Sequence, residues 1–532
     1  MKKLYFLFLM LLLPMVASAE AVEIDGVYYN LIAKGKIAEV TSNPQKYRGI
    51  VTIPETVIYD GVTYDVASIG NNAFNECKAL DSIALPNSIT NIGKMAFFLC
   101  TSLSTVKLPE GLTTIGESSF YHCERLDSVD IPNSVTTLER QAFTACANLR
   151  TITLGNSITT IREGLFSECH RLDTLVIPDG VTSIEAHAFY ACDSLLSVNI
   201  PEGVTTIGFG AFFGCSILPN LTLPASVTSI GYEAFRNCVS LESIDIPNGV
   251  SAIEHSTFMD CTGLLSVTIP NNMKSIGKWA FVRCKSLNTV YIPNSVVSMA
   301  NGVFIGCDKL SSVTIGNGLT AIGDEMFYNC PNLISVTIGT NVRSIGQKAF
   351  GSCPGLSDFY CYSQYPPSTG TDTFTDSYIQ YATLHVPGPY ISDYQEVSPW
   401  KDFMEIVELD EMPLANKCAN PTITFKDAQL TLACETEDAE CVWTLTNPYG
   451  IGGRGSTVRL PDCFVLTVYA TKDGWQDSDR VTATLIWGDA DMEGDNVIRL
   501  SGSNYDVNGD GQVDVADIAA ILSKMAGYSR QE

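Results

Sequence analysis

Thirteen cysteines stand at positions 77, 100, 123 and onward to 353, each 23 residues after the last. Three residues before each cysteine is a phenylalanine, from Phe74 to Phe350, and three residues after it a leucine, from Leu80 to Leu356. Three columns holding the same period leave no room for coincidence. A fixed period of this size is the mark of a solenoid, in which each unit is one turn of a coil that cannot bury its apolar face alone.

One unit shows how the chain is spent. Leu103, Val106 and Leu108 are spaced as an apolar entry followed by a short alternating strand, and Pro109 ends that strand by removing a donor. Leu112 and Ile115 supply further inward positions and Gly116 turns the chain. Ser119 and Phe120 are then expected to begin a helical turn that closes near Cys123. Each buried Phe or Leu contributes about 1.5–3 kcal/mol, so the Phe column is the expected spine of a solenoid of leucine-rich type. The expected architecture is parallel short strands plus helical turns over residues 69–362, about thirteen coils.

The unit resembles the leucine-rich repeat of class 5 found in BspA-like bacterial surface proteins, through its L-x-x-I-x-I-P, T-x-I-G and A-F-x-x-C segments. Gly155, Gly316 and Gly339 depart from the pattern by replacing the proline, and Met299 replaces an isoleucine. Ile217-Leu218-Pro219-Asn220 disturbs one strand. The resemblance implies a surface protein that adheres to matrix proteins, other cells or glycans.

The cysteine column has two readings. Regular cysteines in an oxidising compartment suggest disulfides between neighbouring coils. Alternatively, they are a ladder of buried thiols acting as small hydrophobes. Thirteen is odd and packing sets the register, so buried thiols are the expectation.

Between the inward residues each strand carries two outward ones. The first is Ser or Thr in every unit from Ser82 to Ser335 except at Asn220. This hydroxyl-rich ribbon is the candidate docking surface for an extracellular protein or glycan, since solenoids present extended faces. A plain solubilising role for the same hydroxyls is the alternative. Lys107, Asp130, Asn199, Asp245 and Tyr291 are its less generic positions.

Charge and composition narrow the class. Apolar residues make up 45% and charged ones only 17%, which suits a chain with a large core. The 58 acids against 32 bases give a net charge of −26, which argues against a nucleic-acid partner. Five histidines in no common column, with no G-x-S-x-G or H-E-x-x-H, give no nucleophile–base constellation, and no enzyme is expected. Gly450-x-Gly452-x-x-Gly455 has the dinucleotide spacing, but a strand-like stretch follows it, which suits a hairpin loop.

The flanks are expected to differ from the repeats. Lys2 and Lys3, the apolar run Leu4 to Leu13 and Ala17-Ser18-Ala19 form a signal peptide over residues 1–19, which directs secretion. No later run of 18 apolar residues exists, so no membrane span is expected. Residues 20–68 and 363–412 are expected to cap the solenoid, the latter as a degenerate coil with a short helix. Residues 413–488 alternate as short strands at 422–425, 429–432, 441–445, 457–460, 464–470 and 481–485, an all-β sandwich pattern. Val468 to Trp475 resembles the small Ig-like modules at the C-termini of chitobiase-type and BspA-like proteins. Four cysteines there, 418, 434, 441 and 463, allow three pairings.

Residues 489–532 hold the sharpest chemical motif. Asp506, Asn508, Asp510, Asp514 and Asp517 fall at loop positions 1, 3, 5, 9 and 12, with the Gln512 carbonyl at 7 and Gly511 at the sharp turn. That is an oxygen cage for Ca²⁺. With the helical pattern from Asp517 to Met525 it resembles one half of a type I dockerin, which implies a cohesin-like partner and an alternative role in an extracellular polysaccharide-degrading assembly. The preceding loop, Asp489-x-Asp491-x-Glu493-Gly494, has Leu500 at position 12 and departs from the dockerin pair.

Overall fold

The computed structural model describes residues 21–409 and, beyond them, the backbone of six strands between 422 and 500. Residues 1–19, expected as a signal peptide, and Asp506–Asp517, expected as a calcium loop, lie outside the described residues. The chain divides into two compact units, one running to Ile217 (without 197–200) and one from Leu218 onward (with 197–200).

The first unit opens with the antiparallel strands Val22–Ile24, Val27–Ile32 and Ile37–Val40. Ile37–Val40 then runs parallel to Val62–Ile69, and Val62–Ile69 to the two-residue strand Asn91–Ile92. From there the ladder continues through Thr114–Ile115 and Thr137–Leu138. Antiparallel pairing thus hands over to the parallel stacking of coils, and the Tyr47 ring lies 4.5 Å from Phe74 at the start of the phenylalanine column.

Each coil carries two short strands. Thr105–Lys107 and its equivalents hold the outward hydroxyls, and two-residue strands such as Thr114–Ile115 form a second sheet that the sequence pattern only hinted at as an inward isoleucine. The third side is not helical. Among the described residues the single α-helix is Ile391–Glu396, outside the repeats. The expected helical turn is replaced by alternating hydrogen bonds: Met95, Phe97 and Leu99 donate to carbonyls of the next coil, whereas Ala96, Phe98 and Cys100 donate three residues back. Met95 and Leu99 sit at φ +54° and +57°, which breaks the right-handed run a helix needs. Sequence reasoning took apolar spacing for a helix where coil-to-coil bonding satisfies the backbone better.

Stacking follows from that register. In the first unit the Phe rings from Phe74 to Phe212 lie 5.0–6.3 Å apart and nearly parallel. In the second unit Phe235 to Phe350 repeat this at 5.2–5.5 Å. All are fully buried.

The fourteen cysteines from Cys77 to Cys361 are buried thiols that form no disulfide, and they are more than small hydrophobes. Cys123 Sγ donates to the Phe97 carbonyl at 3.3 Å, and the Cys100 amide donates to that same oxygen at 3.1 Å. The Phe97 carbonyl therefore serves its own coil and the next. The thiol bond recurs through Cys215 in the first unit and from Cys261 to Cys353 in the second, and the amide bond to the same oxygen accompanies it as far as the Phe281 carbonyl. Burial pushes the thiols up, Cys146 to about 12.

The three Gly-for-Pro departures have a common cause. After Gly155, Gly316 and Gly339, the amides of Asn156, Asn317 and Thr340 donate to the side-chain carbonyls of Asn133, Asn294 and Asn317 one coil earlier. A Cβ at Gly339 would stand 2.5 Å from Asn317 Oδ1 and 2.6 Å from the Gly316 carbonyl. At Ile217–Asn220 the strand is lost and one bridge, Asn220 to Ser243, remains, although Leu218 stays buried.

The second unit ends its repeats in a six-stranded parallel sheet, from Thr289–Ile292 to Glu405–Glu408. Phe374 stacks on Phe350 at 5.7 Å and Phe359 meets both rings edge-on. Trp400 and Phe403 pack edge-on against Phe359 and Phe374, and Tyr394 against Trp400, with Trp400 Nε1 donating to the Pro367 carbonyl at 2.9 Å. Cys361, outside the periodic column, is 3.1 Å from the Tyr394 hydroxyl. Further on, Thr422–Lys426 pairs with Gln429–Ala433, and Glu440–Thr446, Cys463–Thr471 and Val481–Trp487 form an antiparallel sheet joined in parallel by Val497–Leu500. The strand expected at 457–460 lies outside the described residues.

Two outcomes test this packing. Because the folded state raises thiol pKa values from the ordinary 9.0, as for Cys146 to about 12, the stability they contribute is complete below pH 9 and is lost as pH climbs through that window. The urea midpoint should hold flat to about pH 8.5 and fall above it, with at least fourteen thiols reacting with iodoacetamide only after denaturation. Gly339→Ala should cost about 1–3 kcal/mol by overpacking. By contrast Gly111→Ala, whose Cβ would meet only the Asn87 carbonyl at 3.5 Å, should change stability by less than about 0.5 kcal/mol. Equal midpoints for the two variants would contradict the Asn–amide account.

Candidate functional site

The outward strand positions form a registered surface within each unit. In the first unit Ser82 pairs with Thr105 and Ala84 with Lys107, and Ser128 with Thr151 and Asp130 with Thr153. Lys107 and Asp130 are exposed and occupy the same repeat position on successive coils. Asp130 Oδ1 accepts from the Thr153 hydroxyl at 2.9 Å, so this carboxylate is held by its neighbour. Val176 interrupts the polar lane with a side chain 75% exposed.

In the second unit Asp245 pairs with Thr268, and Tyr291 opens a lane that passes through Thr314 and Thr337 to Tyr360. The parallel lane runs Thr289, Ser312, Ser335, Asp358. Tyr291 is half-buried and burial raises its hydroxyl pKa. Asn199 is half-buried at the equivalent position on its own strand. The five residues singled out from the sequence therefore share a repeat position, Lys107 and Asp130 on the outward face of the first unit and Asn199, Asp245 and Tyr291 on strands of the second.

The structure extends that face beyond Thr337. Tyr360 and His385 stack at 4.1 Å, and His385 Nε2 lies 3.1 Å from Asp358 Oδ1. Asp358 keeps the 23-residue step from Ser335 and was legible in the sequence. His385 was not: it is in register with Tyr360 but falls 25 residues after it, and the two residues beyond the 23-residue step hide it from period counting.

A second side of the first unit is ionic. Glu117 bridges Lys94 at 3.0 Å and Arg140 at 2.9 Å, and Arg140 reaches Glu163 at 3.9 Å. Those cations hold the Glu117 carboxyl below its ordinary value. These pairs are solvent-exposed and contribute little individually, but their alternation along successive coils favours the correct stacking.

Among the described residues no group of three or more His, Cys, Asp or Glu is arranged to hold a metal ion, and no helix is long and apolar enough to cross a membrane. The remaining histidines pair locally, His170 with Asp193 at 2.8 Å and His122 with Glu124 at 3.4 Å. The glycines 450, 452 and 455 lie outside the described residues.

A fold of stacked coils with a registered outward ribbon defines a repeat-built scaffold. The family model for the BspA type leucine rich repeat region matches residues 67–196, 182–307 and 280–394. The chain belongs to the BspA-type leucine-rich repeat family. Among solved structures it is similar to a leucine-rich repeat protein from Bacteroides ovatus, at 23% identity over 73% of this chain and 100% of that one, with a TM-score of 0.47. A leucine rich cell surface protein from Faecalibacterium prausnitzii is 30% identical over 65% of this chain and 95% of that one, with a TM-score of 0.46. The pneumococcal vaccine antigen PcpA is 18% identical over 74% and 99%, with a TM-score of 0.45. No curated protein matches the chain.

Proposed function

We propose that this is an exported, non-enzymatic binding protein that engages an extracellular protein or glycan through the outward ribbon of its repeats. The observation that carries this reading is the register of the ribbon. Thr289, Ser312 and Ser335 lie side by side, as do Tyr291, Thr314 and Thr337. A row of hydroxyls at strand spacing, about 4.8 Å, offers a ligand the same donor and acceptor at each step. The backbone of each coil is meanwhile satisfied by its neighbours, so the scaffold stays rigid while the outward side chains do the recognition. The signal-peptide pattern of residues 1–19 supports export, with the mature chain starting at Glu20.

A second reading rests on the terminal motif. We infer that Asp506, Asn508, Asp510, Gln512, Asp514 and Asp517 bind Ca²⁺, and that a cohesin-like partner could hold the chain in a polysaccharide-degrading assembly through them. The antiparallel strands from Glu440 to Trp487 support an Ig-like module between the repeats and that loop.

The two readings separate by experiment. On glycan and matrix-protein arrays the full chain should give a ligand whose binding falls at least tenfold when Lys107→Glu, Asp130→Lys and Asp245→Lys are combined, with the thermal midpoint unchanged. Unaltered binding would move the ligand off the ribbon. Calorimetric titration with Ca²⁺ should show one site that Asp506→Ala removes, and no heat of binding would refute the cage. Calcium-dependent capture by an immobilised cohesin would favour the assembly reading.

A further inference from the structure

The ribbon begins with an open edge. Gly49–Thr52 is the outermost member of a three-stranded sheet that continues through Leu80–Ala84 and Thr105–Lys107. The Gly49 amide donates to the Ala79 carbonyl at 2.7 Å, and the Ile53 amide to the Ala84 carbonyl at 3.0 Å. Strand alternation then turns the N–H and C=O groups of Ile50 and Thr52 to the opposite side, where no strand pairs with them among the described residues. Such an edge is a template for a further strand unless something covers or blunts it. Its pairing with Leu80–Ala84 shifts register between Gly49 and Ile50, but neither proline nor an inward charge lies within Ile50–Thr52, and the Ile50 side chain is 77% exposed.

Beside the edge runs an open groove of about 650 Å³, bounded by the Asp25–Val27 turn, the segment around Tyr47 and the strand itself. Ile50, Val51 and Thr52 of the strand line it. Two cations, Lys46 and Arg48, stand along it against one acid, Asp25. Lys46 Nζ also donates to the Asn75 carbonyl at 2.7 Å, which fixes that charge in place. In a chain whose acids outnumber its bases 58 to 32, a locally basic margin beside unpaired strand groups points to an acidic occupant. The alternating donors and acceptors, spaced about 3.3 Å per residue, suit an extended peptide backbone rather than a sugar chain.

We propose that this edge takes an extended peptide segment of another protein as an added strand, with its acidic side chains facing Lys46 and Arg48. Every second side chain of the peptide would continue the outward lanes of Ile50 and Thr52. The others would turn inward toward Tyr47 and Val27, which favours apolar residues there. The site is separate from the ribbon ligand, and Lys107 and Asp130 take no part in it.

The test uses the full chain and a fluorescein-labelled octapeptide alternating valine and glutamate, followed by anisotropy. Saturable binding is expected, and it should weaken at least tenfold when glutamate is replaced by lysine. The same loss is expected when alternate peptide amides are N-methylated, because that removes strand hydrogen bonds while keeping the charges. Arg48→Glu should weaken binding at least fivefold and shift preference toward the lysine peptide. Ile50→Pro, which removes one outward donor, should weaken it similarly, with circular dichroism and the unfolding midpoint checked against the parent. Should Ile50→Pro fail to fold, the N-methylated peptide measures the same bond. Three results would overturn the proposal: no binding of the glutamate peptide, equal binding of its N-methylated form, or indifference to Arg48→Glu. Light scattering that shows self-association abolished by Arg48→Glu would give the edge to a second copy and overturn it too.

Discussion

Coils of 23 residues stay in register because one oxygen is shared. The Phe97 carbonyl accepts the amide of its own coil's Cys100 and the thiol of the next coil's Cys123, and the same sharing recurs down the column as far as Phe281. A buried carbonyl has two lone pairs, and leaving one unmet costs free energy. Cysteine fits because its side chain is small enough for the stacked core and still carries a donor. The ring of the same phenylalanine packs on its neighbours, so one residue sets both the polar and the apolar register.

That constraint explains the rest of the unit. The amides of Met95, Phe97 and Leu99 are bonded coil to coil rather than along a helix, and two residues per turn pass through the left-handed region to make this possible. Glycine enters where an asparagine of the previous coil folds over the backbone, as at Gly316 beneath Asn294. Strand, turn and asparagine ladders all repeat at the same step, so outward side chains inherit that step as well. The outward face is therefore a by-product of the core's register.

Much of this was legible in the sequence. The Phe, Cys and Leu columns located the core, and the alternation around Val106 located the strands and their outward residues. Two things were not. Apolar spacing at Phe120 and Cys123 is the same for a helical turn and for an alternating ladder, because both point the ring inward; only the positive φ of Ser118 and His122 distinguishes them. His385 was missed because the chain inserts two residues before it, and period counting has no means of seeing an insertion that leaves spatial register intact. The ribbon residues Lys107, Asp130, Asn199, Asp245 and Tyr291 were placed correctly on their strands, but their chemistry depends on neighbours, as Asp130 does on Thr153, and neighbours across coils are invisible to a single motif.

The shared-carbonyl register is tested most directly by the S–H stretching band in the Raman spectrum of the folded chain in D2O. A band shifted to the hydrogen-bonded position that persists while exposed groups exchange is the predicted result. Immediate conversion to S–D, or replacement of the band by an S–S stretch, would contradict it.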